Sequence, residues 1–468
     1  MAETNRRQFI KTTGLAGIGY WVAAGAQAQE STSANERVAI ASIGVGGKGG
    51  SDTNQAGEVG DIVAICDINE KTLEVKAEKF PKAKKYFDFR KMLEEMGSSI
   101  DAVTVSTADH THAAASVMAM KLGKHVYCQK PLTHTVYEAR VVRETAAKMN
   151  VVTQMGNQGT AEDGLRRAAE IIRAGVLGKV TEVHVWTNRP IWPQGAEAIL
   201  KTEAGRAAAL AALHGKTLSE LPAPAVPSHI KWDLFQGPAP ERPFDPLYAQ
   251  FAWRGWWDYG TGALGDMGCH TANMAFMALN LTAPVEIEAK SADVNPETFP
   301  TWAQVTSKFP AVGERGPVKF VWYEGQEKGK KKLPPDNLLH GERPSDSGSL
   351  LVGEKGILYS PNDYGAKYKF LGKDADALQA AADAVPVTLA RNGKGDLGMK
   401  QEWVAGIKGG PKPFSNFDYA GTLTEAILLG NVAIRSGKKL KYDPATGTTN
   451  DSDANLLLNP AYRAGWTL

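Results

Sequence analysis

An apolar run that ends in regularly spaced glycines constrains the fold of this chain more than any other stretch. The run Val38–Ile43 is rich in β-branched and small residues and leads directly into Gly44-Val45-Gly46-Gly47-Lys48-Gly49, which has the spacing G-x-G-x-x-G. The first glycine permits a tight turn, the second lets the backbone approach a pyrophosphate, and the third lets the next helix pack closely. The stretch predicts the first strand and turn of a dinucleotide-binding fold. The alternative is an ordinary glycine-rich turn with no cofactor, which could have the same sequence.

A carboxylate follows this loop at the distance that a dinucleotide site requires. The apolar run Asp61–Cys66 ends at Asp67, 18 residues beyond Gly49. A carboxylate there can accept hydrogen bonds from the adenosine ribose hydroxyls and would repel a 2′-phosphate, so the sequence favours NAD over NADP. The alternative is that Asp67 caps the helix that follows.

Strand and helix patterns alternate between residues 37 and 156. This alternation predicts βαβ units with a parallel sheet, which is a Rossmann dinucleotide-binding domain, and ligands bind at the carboxyl ends of its strands. Two loops that follow predicted strands there supply candidate contacts to the nicotinamide end of the cofactor: Thr107, His110, Gln129 and Lys130.

Residues 157–450 show a different pattern. Short strands such as Val285–Lys290 follow one another with few helices between them, which predicts a C-terminal α+β domain with an open, mainly antiparallel sheet. A segment rich in proline and alanine near 193–250 is interpreted as an insertion. The overall fold class is therefore α/β, with two domains.

The N-terminus has the features of an export signal. Arg6-Arg7 precedes Phe9, a mildly apolar stretch follows, and Ala26-Gln27-Ala28 provides a small-residue cleavage site. Residues 1–28 resemble a twin-arginine signal peptide, which implies a periplasmic protein that is exported folded. The apolar stretch is too short and weak for a membrane span.

Composition narrows the possible partners and metals. The chain has 53 basic and 51 acidic residues, so nothing indicates a nucleic-acid partner. Its three cysteines cannot build a disulfide framework, and no CxxC motif indicates zinc. We expect the cysteines to be small buried residues and expect no metal site.

A carboxylate and a histidine share one helix face in a segment rich in glycine and tryptophan. Asp266 and His270 are four residues apart, and a carboxylate beside an imidazole can fix its tautomer and raise its basicity. An ordinary surface pair at this spacing is the alternative. A metal site that includes Cys269 is a further alternative, but the sequence places no other ligand.

These motifs together resemble the glucose–fructose oxidoreductase/inositol dehydrogenase/MocA (Gfo/Idh/MocA) family, in an exported branch. The resemblance rests on the glycine loop, the Lys130-Pro131 pair and the Asp-x-x-x-His motif, in that order, and covers about residues 37 to 440. It implies that Lys130, Asp266 and His270 form the catalytic group beside the nicotinamide. It also implies a homo-oligomer, a dimer or tetramer formed through the open sheet.

Two positions depart from the family pattern. Gln129 stands where the family usually has glutamate, which removes a negative charge beside Lys130, and Ala108 replaces a usual proline. The expected substrate is a small carbohydrate or cyclitol. Its candidate contacts are Asn157, Arg189, Trp192, Trp256 and Trp257. The tryptophans could stack on a sugar ring, but packing inside the protein is an equally ordinary use of them.

Three functions remain open from the sequence. The first is a dehydrogenase that moves a hydride between a secondary hydroxyl of a sugar, glycoside or cyclitol and NAD. The second is redox-neutral: NAD oxidises a glycoside transiently, a bond is cleaved by elimination, and the hydride returns. The third is an NAD-binding sensor without catalysis, against which the intact Lys130, Asp266 and His270 argue.

Overall fold

The first of two sheets in the structure is parallel throughout. The structure is a computed structural model that describes residues 37–202, 205–207, 225–249 and 251–468; the predicted signal peptide lies outside them. Six strands follow the order β3-β2-β1-β4-β5-β6. They are β1 Val38–Ile43, β2 Gly60–Cys66, β3 Lys84–Tyr86, β4 Ala102–Val105, β5 His125–Cys128 and β6 Thr153–Met155.

Helices connect these strands and cover the sheet. They are α1 Gly47–Val59, α2 Glu70–Lys79, α3 Phe89–Met96, α4 His112–Lys121 and α5 Val136–Met149. All residues of β4 are buried, which explains why its sequence is continuously apolar or small rather than alternating. The strand order reverses between β1 and β4, the place where such sheets bind a ligand. The predicted Rossmann fold is confirmed.

The second sheet has ten strands and is mainly antiparallel. Its order is β14-β13-β12-β7-β10-β9-β8-β15-β16, with β11 beside β10. β7 pairs with β10 in parallel, and the other recorded pairs are antiparallel. The strands are β7 Val180–Trp186, β8 Glu286–Ser291, β9 Trp302–Phe309, β10 Val318–Glu327, β11 Lys330–Lys331, β12 Gly348–Gly353, β13 Gly356–Ser360, β14 Lys369–Leu371, β15 Leu440–Asp443 and β16 Thr448–Thr449. This confirms the predicted open sheet.

The longest helix of this second part packs against elements from both halves of the chain. Its apolar stripe, which includes Leu423, Ile427 and Ile434, is buried, and the helix is capped by Gly437, whose φ is 63°. The helices are α6 Asp163–Arg173, α7 Ala196–Lys201, α8 Trp232–Gln236, α9 Gly262–Thr271, α10 Asn273–Leu279, α11 Ala375–Asp383, α12 Gly395–Ile407, α13 Phe417–Ser436 and α14 Ser452–Leu458.

Helix α12 belongs to the predicted second domain in sequence but completes the core of the first sheet. Met399 and Trp403 are fully buried in one apolar cluster with Ile40 and Tyr127, and the Tyr127 and Trp403 rings meet edge-on at 5.7 Å. The two predicted domains therefore share a core. The boundary at residue 156 stays a prediction.

The remaining expectations concern membrane spans and cysteines. In the part of the chain that the structure describes, no helix has the length and apolar character needed to cross a membrane. Cys66, Cys128 and Cys269 are all free and buried, as expected.

Candidate functional site

The glycine loop after β1 is built so that no other residue fits two of its positions. A Cβ on Gly44, whose φ is 77°, would lie 2.6 Å from the Ser106 carbonyl oxygen. A Cβ on Gly49 would lie 2.0 Å from the Gly44 carbonyl oxygen. The loop therefore packs tightly against the end of β4, and α1 starts close to β1, as the glycine spacing predicts.

Helix α1 presents an uncapped N-terminus at this loop. Its cap residue, Gly46, has no side chain, and its first turn contains no acidic residue. The first backbone N–H groups of a helix have no partner within the helix and attract anions. Gly44, Val45, Gly46, Gly47, Lys48 and Gly49 thus surround a place suited to a pyrophosphate.

Asp67 lies against the same loop rather than capping a helix. Its Oδ2 accepts the Val45 N–H at 2.9 Å and its Oδ1 accepts the Asn69 N–H at 2.9 Å. The side chain of Asn69 caps α2 by accepting the Lys71 and Thr72 N–H groups. Burial raises the pKa of Asp67, and the backbone donors counteract this. The position suits a carboxylate that faces an adenosine ribose.

Gln129 donates its amide N–H to a buried carboxylate that the sequence did not indicate. Its Nε2 lies 2.8 Å from Oδ2 of Asp52, and the Ser106 hydroxyl donates to the same oxygen at 2.9 Å. Asp52 is on α1 and is fully buried. Asp52 therefore places a negative charge beside Gln129, where the family usually has the charge of a glutamate at position 129 itself.

Asp52 is also one corner of a closed ring of four charges. Nζ of Lys400 lies 2.6 Å from Oδ1 of Asp52 and 2.6 Å from Oδ1 of Asp396. Nζ of Lys48 lies 3.0 Å from Asp52 and also bonds Asp396. Burial would raise the pKa of Asp52, but Lys400 and Lys48 outweigh it and hold that pKa below its ordinary value. The four-charge ring joins the glycine-loop helix to α12.

Thr107 and His110 follow β4 as predicted, but the His110 ring already has two protein partners. Its Nδ1 lies 3.2 Å from the Tyr259 carbonyl oxygen and its Nε2 lies 2.7 Å from the Phe235 carbonyl oxygen. Burial lowers the pKa of His110 to about 4. Both ring nitrogens face backbone carbonyls, and the contact of His110 with a cofactor stays a prediction. The Thr107 hydroxyl faces the Ala108 carbonyl oxygen at 3.2 Å.

Lys130 and Asp266, which are distant in sequence, meet directly. Nζ of Lys130 lies 2.6 Å from Oδ1 of Asp266 and 2.8 Å from its carbonyl oxygen. Nε of Arg254 lies 3.0 Å from the same Oδ1. Burial would raise the pKa of Asp266, but Lys130 and Arg254 hold it well below its usual range. Asp266 is therefore a permanent anion that positions two cations.

His270 lies one helical turn beyond Asp266 but is not oriented by it. The carboxylate of Asp266 bonds Lys130 and Arg254, whereas the His270 ring makes no hydrogen bond to any described residue, and its Nδ1 is buried. The expectation that Asp266 fixes the His270 tautomer is wrong, because Oδ1 of Asp266 accepts from two cationic donors and neither carboxylate oxygen is hydrogen-bonded to the His270 ring. Burial, and then Lys130, lower the pKa of His270 well below its usual value, so the ring is neutral. It packs on Tyr364, with ring centroids 4.8 Å apart.

A second buried carboxyl group lies near Lys130 and was also missed. Asp109, just beyond β4, accepts the Thr261 hydroxyl at 2.6 Å. Burial raises the pKa of Asp109 to about 7, against the effects of Thr261, Arg254 and Lys130. Asp52, Asp109 and Arg254 had no recognisable sequence motif. Only their spatial approach to Gln129, Lys130 and Asp266 reveals them.

The predicted substrate contacts Arg189 and Asn157 differ in whether their polar atoms already have protein partners. Arg189 lies with its Nε 4.0 Å from Oδ2 of Asp266, and that Nε has no hydrogen-bond partner among the described residues. Asn157 is buried, accepts the Ser415 hydroxyl at 2.6 Å and donates to the Cys269 carbonyl oxygen at 3.4 Å. Arg189 is therefore brought to the Lys130–Asp266 pair, and Asn157 is used inside the protein.

The three tryptophans are each packed into the protein. Trp256 lies edge-on to Tyr248 at 4.7 Å, Trp257 lies on Phe299 at 3.7 Å, and Trp192 donates its Nε1–H to Gln194 at 2.8 Å. Trp256 is 1% exposed, and Trp257 and Trp192 are each 5% exposed. Packing against protein is the role the structure gives these rings, and stacking on a sugar stays a prediction.

No group of three or more His, Cys, Asp or Glu side chains arranged for a metal occurs within the described ranges.

The residues around the glycine loop and His270 fit a dinucleotide cofactor. Gly44 and Gly49 leave no room for a Cβ, the α1 N-terminus is uncapped, and the His270 Nδ1 is a buried polar atom without a partner among the described residues.

Two sequence-family models match the chain. Residues 37–157 match the NAD-binding Rossmann fold of an oxidoreductase family, Gfo/Idh/MocA, and residues 210–316 match the C-terminal alpha/beta domain of the same family. The first part of the chain is therefore an NAD-binding Rossmann domain.

Curated relatives match parts of the chain. It is 26% identical over 132 residues to myo-inositol 2-dehydrogenase of Thermotoga maritima, covering 28% of this chain and 39% of the relative. It is 30% identical over 200 residues to a glycosyl hydrolase family 109 protein of Solibacter usitatus, covering 39% and 45%. It is 30% identical over 131 residues to D-glucoside 3-dehydrogenase of Escherichia coli, covering 28% and 36%. The chain thus spans less than half the length of these relatives.

Solved structures match nearly the whole fold. The WlbA dehydrogenase from Bordetella pertussis, in complex with NADH and UDP-GlcNAcA, has a TM-score of 0.57 at 14% identity, over 87% of this chain and 98% of that one. The aldose-aldose oxidoreductase from Caulobacter crescentus has a TM-score of 0.53 at 15% identity, over 86% and 99%. At these identities the likeness concerns the fold.

Proposed function

Because the chain belongs to the Gfo/Idh/MocA family of oxidoreductases, we propose that it is an NAD-dependent dehydrogenase of a sugar, glycoside or cyclitol. The contact of Lys130 with Asp266 beside a neutral, unpartnered His270 is the observation that supports this most directly. Bound NAD supplies a nicotinamide carbon that takes up or returns a hydride. The relatives named as inositol and glucoside dehydrogenases support the substrate class.

His270 is the proposed proton acceptor. The hydroxyl proton of an alcohol must leave as its carbon loses a hydride, so a base is needed within hydrogen-bond reach. The His270 ring is neutral because burial and Lys130 lower its pKa, and a neutral imidazole has a free lone pair. The ring makes no hydrogen bond to a described residue, so no protein donor competes with a substrate hydroxyl for its lone pair.

Lys130 is the proposed donor to the reacting oxygen. As the hydroxyl loses its proton, negative charge develops on oxygen, and a fixed cation nearby stabilises it. Asp266 holds Lys130 by its carboxylate and its backbone carbonyl, so the ammonium group has one position rather than several. Asp266 is in this account a positioning residue and not the partner of His270.

Asp67 is the proposed reason for a preference for NAD. Its carboxylate lies at the end of β2 beside Val45, where an adenosine ribose is bound in this type of domain. A 2′-phosphate there would meet a carboxylate already short of solvent. Asp67→Ala should therefore reduce the preference for NAD over NADP, as measured by the ratio of their dissociation constants.

The test of the function is an assay of the purified protein with NAD and a panel of sugars, glycosides and cyclitols. Growth of NADH absorbance with at least one of them supports the proposal. Lys130→Ala and His270→Ala should each lower the rate by about 10²-fold or more. Rates equal to wild type in both variants contradict the assignment.

A redox-neutral reaction is the second candidate. The 30% identity to a glycosyl hydrolase family 109 protein over 200 residues favours it. In this reaction a hydroxyl is oxidised, a glycosidic bond is cleaved by elimination, and the hydride returns to the sugar. Release of the leaving alcohol from a glycoside without net NADH would identify it. An NAD-binding sensor would instead bind sugar without either product.

Export and assembly are also proposed. Residues 1–28 direct folded, NAD-loaded protein to the periplasm through their arginine pair, so NAD should be retained through gel filtration. Replacement of Arg6 and Arg7 by lysine should leave the protein in the cytoplasm on fractionation. We further propose a dimer or tetramer through the open sheet, which light scattering on the purified protein tests.

A further inference from the structure

Three cationic side chains surround one carboxylate at the candidate site. The Asp266 carboxylate has Lys130 Nζ at 2.6 Å, Arg254 Nε at 3.0 Å and Arg189 Nε at 4.0 Å. The side chains of these cations are 13%, 20% and 21% exposed, and that of Asp266 is 9% exposed. Solvent therefore screens these charges only weakly.

No other described group supplies the missing negative charge. Asp109 is a second buried carboxyl group near Lys130, but burial raises its pKa to about 7, so it carries only part of a negative charge at neutral pH and cannot balance three cations together with Asp266. The four-charge ring is balanced within itself, with two lysines against two aspartates. His270 is neutral. The centre is left with more positive than negative charge.

NAD itself does not remove this excess. The place suited to its pyrophosphate is the N-terminus of α1, where the glycine loop and the backbone would hold it. An oxidised nicotinamide bound beside Lys130 would add a further positive charge. Like charges in a poorly solvated site repel one another, so the loaded site favours an anionic second ligand.

Arg189 has the donors and the space to hold such a ligand. Its Nη1–H donates to Oδ1 of Asn188, whereas its Nε is buried without a hydrogen-bond partner among the described residues. A cavity of about 230 Å³ lies beside it, and Asn188, Thr301 and Lys331 contribute to its lining. Arg254 is held in place by stacking on Trp253, with its guanidinium carbon 4.2 Å from the ring centroid. Planar guanidinium groups match a carboxylate with two parallel hydrogen bonds.

We propose that the substrate bears a carboxylate, as a uronic acid or its glycoside does, and that Arg189, assisted by Arg254, binds this group while Lys130 and His270 face the hydroxyl. The roles of Lys130 and His270 in this inference rest on the proposed function, whereas the binding of a carboxylate by Arg189 does not. The binding of an acidic sugar can be measured without any hydride transfer.

The experiment compares ligands that differ in one charge. Titration calorimetry on the full-length, NAD-loaded protein would use glucuronate, galacturonate and mannuronate, each against its methyl ester and its parent aldose. We expect at least one uronate to bind about tenfold or more tightly than its ester, since the guanidinium pairs only with the anion. Equal affinities for every acid–ester pair, or no binding of any uronate, overturn the proposal.

Variants test whether Arg189 is responsible. Arg189→Met should abolish the preference for the acid, and Arg189→Lys should retain part of it, because the charge stays while the fork is lost. Lys91→Met, which removes an exposed charge on α3, is the matched control and should keep the full preference. A preference unchanged in Arg189→Met overturns the proposal, and so does tighter binding of glucose 6-phosphate than of any uronate.

The two proposals fail in different ways. If uronates bind through Arg189 but no NAD is reduced and no glycoside is cleaved, the acidic-substrate inference stands and the dehydrogenase proposal falls. If neutral aldoses reduce NAD with the same KM as their uronates, the function stands and the inference falls. Thermal unfolding of each variant confirms that it is folded.

Discussion

Nζ of Lys130 lies 2.6 Å from Oδ1 of Asp266 and 2.8 Å from the carbonyl oxygen of the same residue, although the two residues are 136 positions apart. If Asp266 acts through Lys130, the two should behave as one unit. We expect Lys130→Met and Asp266→Asn each to lower kcat/KM by about 10²-fold, and the double variant to be little worse than either, as is usual for residues that act together. Steady-state kinetics on the best substrate measure this. Fully multiplicative losses would contradict a shared role.

A substitution toward the family pattern should harm this protein. Gln129→Glu would place a second carboxylate at the 2.8 Å contact with Asp52, where an N–H now donates. We expect the free energy of unfolding to fall by about 2 kcal/mol or more, because a buried donor is replaced by a like charge. Adding Asp52→Asn should recover part of the loss by restoring an N–H to carboxylate bond. Denaturant unfolding that finds Gln129→Glu as stable as wild type would refute the argument.

Lys400 should be the most sensitive member of the four-charge ring. Its side chain is fully buried between Asp52 and Asp396, so Lys400→Met leaves two buried carboxylates with less compensation. We expect a loss of about 3–5 kcal/mol in the free energy of unfolding. The matched control is Lys438→Met, where a lysine with 44% of its side chain exposed pairs with Asp451, and the loss should be much smaller because solvent screens the pair. Similar losses in both variants would mean that burial of the ring adds nothing.

Glu324 should make stability depend on pH. It is buried on β10 and accepts the Trp322 Nε1–H at 2.7 Å, and burial raises its pKa to about 8 from a usual 4.5. Between these two pH values the unfolded chain releases the proton and the folded chain keeps it, so stability falls as pH rises.

Glu324→Gln keeps the acceptor for Trp322 but cannot ionise. We expect it to match wild type near pH 4.5 and to be more stable by a few kcal/mol near pH 9. Urea unfolding at several pH values measures the difference. Glu74→Gln, at a carboxylate with 57% of its side chain exposed, is the matched control for the same substitution outside the core. A gap between Glu324→Gln and wild type that does not widen with pH would contradict the account.

Local patterns were sufficient to predict the fold because both sheets follow from them. The glycine spacing, the continuous apolar strands and the alternating strand at 285–290 each report a backbone geometry that needs no distant partner. Helix α12 shows the limit of this reasoning. The packing of Trp403 against Tyr127 depends on a chain path that joins residues 276 positions apart, and periodicity carries no information about that.

Some residues of the candidate site could likewise be predicted from the sequence, and others could be found only in the structure. Lys130, Asp266 and His270 could be found because they lie in motifs that the family resemblance supplies. Asp52 and Arg254 could not, since an aspartate on a helix and an arginine among tryptophans are ordinary until Gln129 and Asp266 are seen to approach them. The spacing of Asp266 and His270 suggested a pair that the structure does not form, because spacing cannot show that Lys130 and Arg254 compete for the carboxylate.

The central claim is that a hydride moves between a substrate carbon and the nicotinamide beside Lys130 and His270. A substrate deuterated at the oxidised carbon tests this most directly, with the label on protein-bound NAD followed by mass spectrometry in samples quenched during a single turnover. The account predicts deuterium at the nicotinamide ring in wild type. The label persists in the dehydrogenase reaction and is transient in the redox-neutral reaction, and its appearance is strongly delayed in His270→Ala. Turnover of the substrate with no deuterium ever reaching the cofactor would contradict it.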